Sequence, residues 1–157
     1  MTADELRSEN SRLDGELLEA AASVDPAHLH FAPDGEWSPA QVLAHLGEFP
    51  RFFAGELARW RNDAGAVIGR THEHPARLAA VADPSGQRDE LVAAARQSLA
   101  VLAEALASLA DADIDAPTRN VKYGAEPLSA FLDRYVVGHK AGHLDQIRAL
   151  QKAAAEQ

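Results

Sequence analysis

The chain has 157 residues, of which 46% are hydrophobic and 25% charged, and its formal net charge is -9. This acidic balance argues against nucleic-acid binding, because phosphate contacts need clustered lysine and arginine and the 15 basic residues are dispersed. The absence of cysteine excludes disulfides, thiolate metal sites and a cysteine nucleophile. No apolar run approaches the ~20 residues of a membrane span and the N-terminus is polar, so we expect one cytoplasmic domain over residues 1–157.

Two helices are predicted in the first part of the chain. A capping signal at Thr2 and a stripe of leucines predict a helix over about residues 3–23. A second helix starts after Ser38, whose next residues include the proline and glutamine typical of a first turn, and its apolar stripe continues to Trp60. Pro50 should kink or interrupt this helix, because proline lacks an N–H and clashes with the preceding turn.

Two further helices are predicted over about residues 87–110 and 127–154, where apolar residues recur at spacings of three and four. No segment shows the period-two alternation of a strand. The predicted fold is therefore all-α, a four-helix bundle. Its longest connection, about residues 62–86, joins helices 2 and 3 and is long enough to cross the bundle, so these two helices could run parallel.

Three histidines occupy positions where the apolar stripes predict leucine. His139 and His143 lie one turn apart on the fourth helix, and His45 lies on the inward face of the second. They could form a facial ligand set for a divalent metal with open coordination positions, or they could be core histidines bonded to carbonyls and carboxylates. Gly138 and Gly142 precede the pair, although each costs about 1 kcal/mol in a helix. We interpret them as a bare stripe that lets a neighbouring helix or a substrate approach the backbone.

Several better-known sites are absent from the sequence. A di-iron bundle needs Glu-x-x-His motifs, but the residues three before the histidines are Val42, Val136 and Lys140. The zincin motif His-Glu-x-x-His is missing, and there is no glycine-rich phosphate loop and no serine nucleophile elbow. These absences leave the three-histidine set as the main candidate for chemistry.

Other polar residues are weaker candidates. Glu48 and Gln146 follow a histidine by three residues, so either could orient a ring or a bound water, and Glu48 could also be a general base or a solvated side chain. Residues that could reach a substrate from the mouth of the bundle are Tyr123, Tyr135 and Arg119. The remaining histidines fall in polar connections, where ligation is less expected: His28, His30, His72 and His74.

The segments "EWSPAQVLAHL", residues 36–46, and "GHKAGHLDQI", residues 138–147, together resemble the DinB-like family of small four-helix proteins. The resemblance extends over essentially the whole chain. It implies a four-helix bundle with a long second connection and a site for a divalent metal, most often zinc or nickel. Carried over to this chain, the metal ligands would be His45, His139 and His143.

The resemblance also implies a range of functions. Some relatives are transferases or isomerases that use a low-molecular-weight thiol such as mycothiol or bacillithiol, others are described as metal-dependent hydrolases, and many are homodimers. We expect a small-molecule substrate and favour thiol S-transfer, because an open metal site could bind a substrate thiolate directly. Metal-dependent hydrolysis, a non-enzymatic metal-binding or stress-related module, and a dimerisation domain with core histidines remain alternatives.

Overall fold

The computed structural model describes all residues, Met1–Gln157, and is mostly helical, which confirms the predicted four-helix bundle. Four long helices form its body, two short ones lie in the connections, and a third short one precedes the last long helix. In chain order they are α1 (Ala3–Ala22), α2 (Pro39–Asn62), α3 (Pro75–Ala82), α4 (Arg88–Ala107), α5 (Asp111–Ile114), α6 (Leu128–Leu132) and α7 (Gly138–Ala155). A 3-10 turn covers Pro26–His28. None of the helices is both long and apolar enough to cross a membrane.

Helices α2 and α4 pack along each other in the same direction. A side chain at Gly47 would meet Ala94 at 3.7 Å, and one turn further along both helices the Arg51 N–H donates to Ser98 Oγ at 3.3 Å. Both contacts keep the same sequence offset, which requires parallel helices. The long connection between them therefore crosses the bundle, as its length indicated.

Helix α1 packs on α4 and α7 rather than on its sequence neighbour α2. It runs antiparallel to α4, since Arg7 donates to the Leu109 carbonyl at one end and Arg88 to the Val24 carbonyl at the other, both at 3.0 Å. Helix α7 lies between α1 and α2. The fully buried side chains at the centre include Leu6, Leu13, Leu17, Leu43, Phe49, Phe53, Leu99 and Leu102.

A small sheet joins two of the connections, so the prediction that no strand exists is wrong. Its order is β1 (Val67–Ile68), β2 (Pro117–Asn120) and β3 (Gly124–Pro127), with β2 parallel to β1 and antiparallel to β3. Strands of two to four residues are too short to show alternation, and proline and glycine normally indicate a loop. The sheet ties the long connection after α2 to the segment that leads into α6.

Helix α2 continues unbroken through Pro50, so the predicted interruption does not occur. Proline removes one backbone donor from the ladder. The next donor, the N–H of Arg51, bonds to Ser98 Oγ on α4. A side chain of the neighbouring helix therefore supports the backbone beside the proline, and His45 stays on the same continuous helix as Trp60.

The predicted fourth helix begins as expected but changes its winding. Helix α6 leads into a π-helical turn, Asp133–Val137, and α7 follows directly, with right-handed helical backbone at both junctions. In this turn the N–H of Gly138 donates to the carbonyl of Asp133, five residues earlier. Such turns insert one extra residue and change the direction of the side chains that follow.

Candidate metal centre

The fold brings the three predicted ligands together from two helices. His45 comes from α2, and His139 and His143 from α7, and one ring nitrogen of each lies within 4.8 Å of the others. The Nε2 atoms of His45 and His139 are 3.1 Å apart. Two nitrogens bound tetrahedrally to zinc at about 2.0–2.1 Å would be about 3.3 Å apart. The spacing of this pair is therefore close to that of two ligands on one ion.

Hydrogen bonds orient the two histidines of α7. The Nδ1 of His139 lies 3.3 Å from the carbonyl of Tyr135, and the Nδ1 of His143 lies 2.8 Å from Oε1 of Gln146. Both partners accept, so each Nδ1 carries the proton and donates it. The lone pair of each Nε2 is then free to bind a metal, which is the arrangement common around zinc.

His45 faces a carboxylate that is already paired. Its Nδ1 lies 3.8 Å from Oε1 of Glu48, beyond hydrogen-bond distance. Glu48 accepts two hydrogen bonds of 2.6 Å from Arg70, so it is neither a solvated residue nor an unpaired base. When Nε2 of His45 binds an ion, Nδ1 carries the proton, and Glu48 is the carboxylate that faces it.

All three imidazoles are neutral at physiological pH. Burial, together with the nearby histidines, lowers the pKa of His139 to about 3 and lowers the pKa of His45 further. Burial also lowers the pKa of His143. Two ring nitrogens, Nδ1 of His45 and Nε2 of His143, are buried without any hydrogen-bond partner. Buried polar atoms are normally satisfied, so neutral rings with an unpaired nitrogen fit a site that accepts a metal ion.

Aromatic rings hold the imidazoles in place. The ring of Phe49 stacks on His139 with centroids 4.3 Å apart, and the ring of Trp37 lies parallel to that of His143 at 6.2 Å. Trp37 also meets His45 edge-on at 5.4 Å. Trp37 belongs to the segment "EWSPAQVLAHL" that carries the family resemblance, and its position directly before the Ser-Pro cap was the signal available in the sequence.

The two glycines beside the histidines have different structural roles. A Cβ on Gly138 would lie 2.5 Å from the carbonyl oxygen of Asp133, a distance that no side chain tolerates. The close contact of Gly138 is therefore with the π turn of its own helix and not with a neighbouring helix, and Gly138 also lines the cavity, where a substrate could approach it. A Cβ on Gly142 would meet nothing within 4 Å, and this residue lines the cavity in front of the histidines.

The histidines open onto a cavity of about 510 Å³, which is within the range of small-molecule sites. Tyr123, Tyr135 and Gln146 line it, as does His72 from the long connection. The hydroxyl of Tyr135 is within hydrogen-bond distance of the Asn120 side chain, whereas Tyr123 is half exposed at the mouth. The predicted substrate residue Arg119 is exposed on β2 and does not line the cavity.

The remaining loop histidines lie outside the three-histidine cluster. His74 caps α3, because its Nδ1 accepts the Ala76 N–H at 3.2 Å, and its ring packs on Phe52 at 5.0 Å. His28 and His30 lie in the first connection and do not line the cavity.

Four cationic residues on the cavity wall were missed by the sequence analysis: Arg70, Arg77, Lys122 and Arg134. Two of them belong to "GRTHEHPARL", residues 69–78, in the long connection. The sequence predictions for that segment concerned only its histidines, His72 and His74. The available signal was the pair of arginines in a loop long enough to cap the bundle.

Solved structures of other proteins share this fold. An uncharacterised protein from Clostridium difficile 630 is 14% identical, with a TM-score of 0.74 over 97% of this chain and 96% of its own. YfiT from Bacillus subtilis, described as a probable metal-dependent hydrolase with an unusual four-helix bundle topology, is 18% identical, with a TM-score of 0.73 over 98% and 87%. Identities this low establish the fold alone.

A mycothiol-dependent maleylpyruvate isomerase is also similar, at 18% identity and a TM-score of 0.69 over 90% of this chain and 60% of the isomerase. This chain therefore corresponds to only part of that enzyme. No curated protein matches the chain in sequence. The model of the DinB superfamily matches residues 11–147, which include the three histidines and all four long helices in whole or in part. The chain belongs to the DinB superfamily.

Proposed function

We propose that this protein binds one divalent metal ion, zinc or nickel, through His45, His139 and His143, and uses it to transfer a small-molecule thiol to an electrophile. One observation carries the proposal: three neutral imidazoles, that of His45 buried and those of His139 and His143 half-buried, converge at an open cavity. Three protein ligands leave a coordination position free, as in catalytic rather than structural sites.

The metal would supply one chemical property, a lower pKa for a thiol or water that coordinates it. The protein supplies the rest. Gln146 and the Tyr135 carbonyl hold the two imidazoles of α7 in the required tautomer. Phe49 and Trp37 fix the ring planes and exclude water from one side. The cavity then limits the approach of the second substrate to the side on which Gly142 leaves open space.

The absence of a usable carboxylate favours thiol transfer over hydrolysis. No aspartate or glutamate lines the cavity, and the nearest carboxylate, Glu48, is paired with Arg70. Attack by water benefits from a general base, whereas a thiol that has lost its proton is already a strong nucleophile. The similarity to a mycothiol-dependent isomerase supports this choice, and the similarity to YfiT supports hydrolysis as the second candidate.

Metal content tests the first part of the proposal. Protein purified without a histidine tag should hold about one equivalent of zinc or nickel, measured by mass spectrometry, and the triple variant His45→Ala, His139→Ala, His143→Ala should hold almost none. The matched control is His30→Ala, which removes an exposed histidine outside the centre. Equal metal content in the wild type and the triple variant would show that the metal proposal is wrong.

Thiol dependence tests the second part. The metal-loaded protein should accelerate the reaction of monobromobimane with a low-molecular-weight thiol such as bacillithiol above the uncatalysed rate of the same mixture, and removal of the metal should abolish this acceleration. A protein that instead hydrolyses simple esters at the same rate with or without thiol would support the hydrolase alternative and contradict thiol transfer.

A further inference from the structure

The wall of the cavity has an excess of positive charge. Its four charged residues are all cations, Arg70, Arg77, Lys122 and Arg134, and no carboxylate lines it. The chain as a whole has 24 acidic and 15 basic residues. The charged residues that line this cavity are therefore all positive, although the chain as a whole is acidic. Such a cavity raises the local concentration of small anions.

Two of these cations form ion pairs with glutamates that do not line the cavity. Glu48 accepts two hydrogen bonds of 2.6 Å from Arg70, and Glu126 accepts hydrogen bonds of 2.7 and 2.8 Å from Arg134. The Arg70 guanidinium also lies 4.3 Å from the ring centroid of Phe52. The guanidinium groups of these two arginines already donate to glutamates and therefore have few N–H groups left to bind a ligand.

The other two cations have no carboxylate partner. Arg77 donates to the His72 carbonyl at 2.8 Å, and its guanidinium carbon lies 5.0 Å from the Trp37 ring centroid. The ammonium of Lys122 lies 5.4 Å from the Tyr123 ring and forms no ion pair. A guanidinium and an ammonium that face a cavity without a counter-charge are the groups expected where a ligand supplies the negative charge.

Trp37 places Arg77 close to the metal centre. One indole ring contacts both groups, because Arg77 lies over it while His143 stacks parallel to it and His45 meets its edge. Arg77, His45 and His143 therefore contact the same indole ring and line the same cavity, so one small molecule in this cavity can face both the guanidinium and the imidazoles.

We propose that the cavity selects a small-molecule thiol that also carries a carboxylate, which Arg77 and Lys122 bind while the sulfur faces the three histidines. This inference rests on the proposed metal centre and adds the substrate class. A carboxylate fits better than a phosphate, since phosphate sites typically use backbone N–H groups at a helix start. Here α3 begins with Pro75, which has no N–H, and His74 already accepts the Ala76 N–H.

Two thiols that differ only at the far end test the proposal. In 3-mercaptopropionate the carbon chain ends in a carboxylate, and in 3-mercapto-1-propanol it ends in a neutral hydroxyl. Each is titrated into cobalt-loaded protein, with sulfur binding followed by the thiolate-to-cobalt absorption and affinity by calorimetry. We expect the carboxylate form to bind about tenfold more tightly, and the ratio to fall towards one in Arg77→Gln and in Lys122→Gln.

Controls separate a local contact from a general charge effect. Arg96→Gln removes the same charge from an exposed position of α4 outside the cavity and should leave the affinity ratio unchanged. Lys122 is exposed, so its variant tests the proposal even if Arg77→Gln disturbs the long connection. Equal affinities for the two thiols in the wild type, or an equal loss in Arg96→Gln, would overturn the proposal.

The outcomes also separate this inference from the proposed function. If the protein holds no cobalt, the metal centre fails and the substrate class with it. If cobalt is bound and the neutral thiol binds as tightly as the acid, only the carboxylate inference fails. Competition by inorganic phosphate that is stronger than competition by propionate would overturn the choice of carboxylate, whereas the reverse order supports it.

Discussion

Gln146 fixes the tautomer of His143, one of the three proposed metal ligands, through a single hydrogen bond. Its Oε1 accepts from Nδ1 of His143 at 2.8 Å, which leaves Nε2 unprotonated and buried. Because the amide oxygen is the only part that the histidine uses, a glutamate should replace it and a leucine should not. This hydrogen bond supports the positioning role proposed for Gln146.

We expect Gln146→Leu to weaken metal binding by about 10- to 100-fold, whereas Gln146→Glu should retain most of the affinity. Competition with a chromophoric zinc chelator measures both. Gln97→Leu, at an exposed site on α4, is the control for the loss of a glutamine. Similar affinities for the leucine and glutamate variants would contradict the positioning role.

Gly138 and Gly142 should respond oppositely to alanine. A Cβ at Gly138 collides with the Asp133 carbonyl, so Gly138→Ala should lower the free energy of unfolding by about 1–3 kcal/mol. Gly142 has open space around it, and Gly142→Ala should raise that free energy by up to about 1 kcal/mol through helix propensity. Urea denaturation measures both, and changes of the same sign would show that the π turn does not require Gly138.

Helix α7 carries a buried lysine. Lys140 is fully buried against α1, where its ammonium donates to Asp14 Oδ1 at 2.6 Å and to Asn10 Oδ1 at 2.5 Å. Burial lowers the pKa of Lys140 and raises the pKa of Asp14, which shows that both groups lose solvation. The predicted apolar stripes gave no sign of this pair, because Lys140 and Asp14 are charged and apolar periodicity does not register a buried ion pair.

Removal of one partner from this pair should be costly. Lys140→Met leaves Asp14 without its cation, and we expect the free energy of unfolding to fall by about 3 kcal/mol. The triple variant Asn10→Leu, Asp14→Leu, Lys140→Met removes the polar groups together and should recover most of the loss. Denaturation in urea measures both proteins. Equal stability of Lys140→Met and the wild type would contradict the packing of α7 on α1 through this contact.

The stability of the metal-free protein should depend on pH through the histidine centre. The pKa of His139 is about 3 in the fold and near its ordinary 6.5 when unfolded. Between these values the unfolded chain binds more protons, so the free energy of unfolding falls as the pH is lowered. Above 6.5 both states are neutral and the contribution is constant.

We expect His139 alone to account for a loss of about 2 kcal/mol between pH 7 and pH 5. Chelator-treated wild type should show this dependence in urea denaturation, and His139→Gln should show a smaller one. His30→Gln, at an exposed position, should behave like the wild type. Identical pH dependences of the wild type and His139→Gln would contradict the lowered pKa.

The helices and the three histidines follow from local patterns in the chain. Capping residues at Thr2 and Ser38 fix the helix starts, and the spacing of four residues puts His139 and His143 on one face whatever surrounds them. Helix formation depends on bonds between near neighbours, so these features are encoded within a few residues. The spacing of apolar residues along the second helix likewise predicted that His45 points inward.

The surroundings of the histidines depend on contacts between distant segments. The pairing of Arg70 with Glu48, the cation Arg77 beside Trp37 and the sheet that joins Val67–Ile68 to a segment fifty residues later have no local signature. Local bonding therefore fixed which residues could bind a metal, and packing fixed the charge and shape of the cavity in front of them.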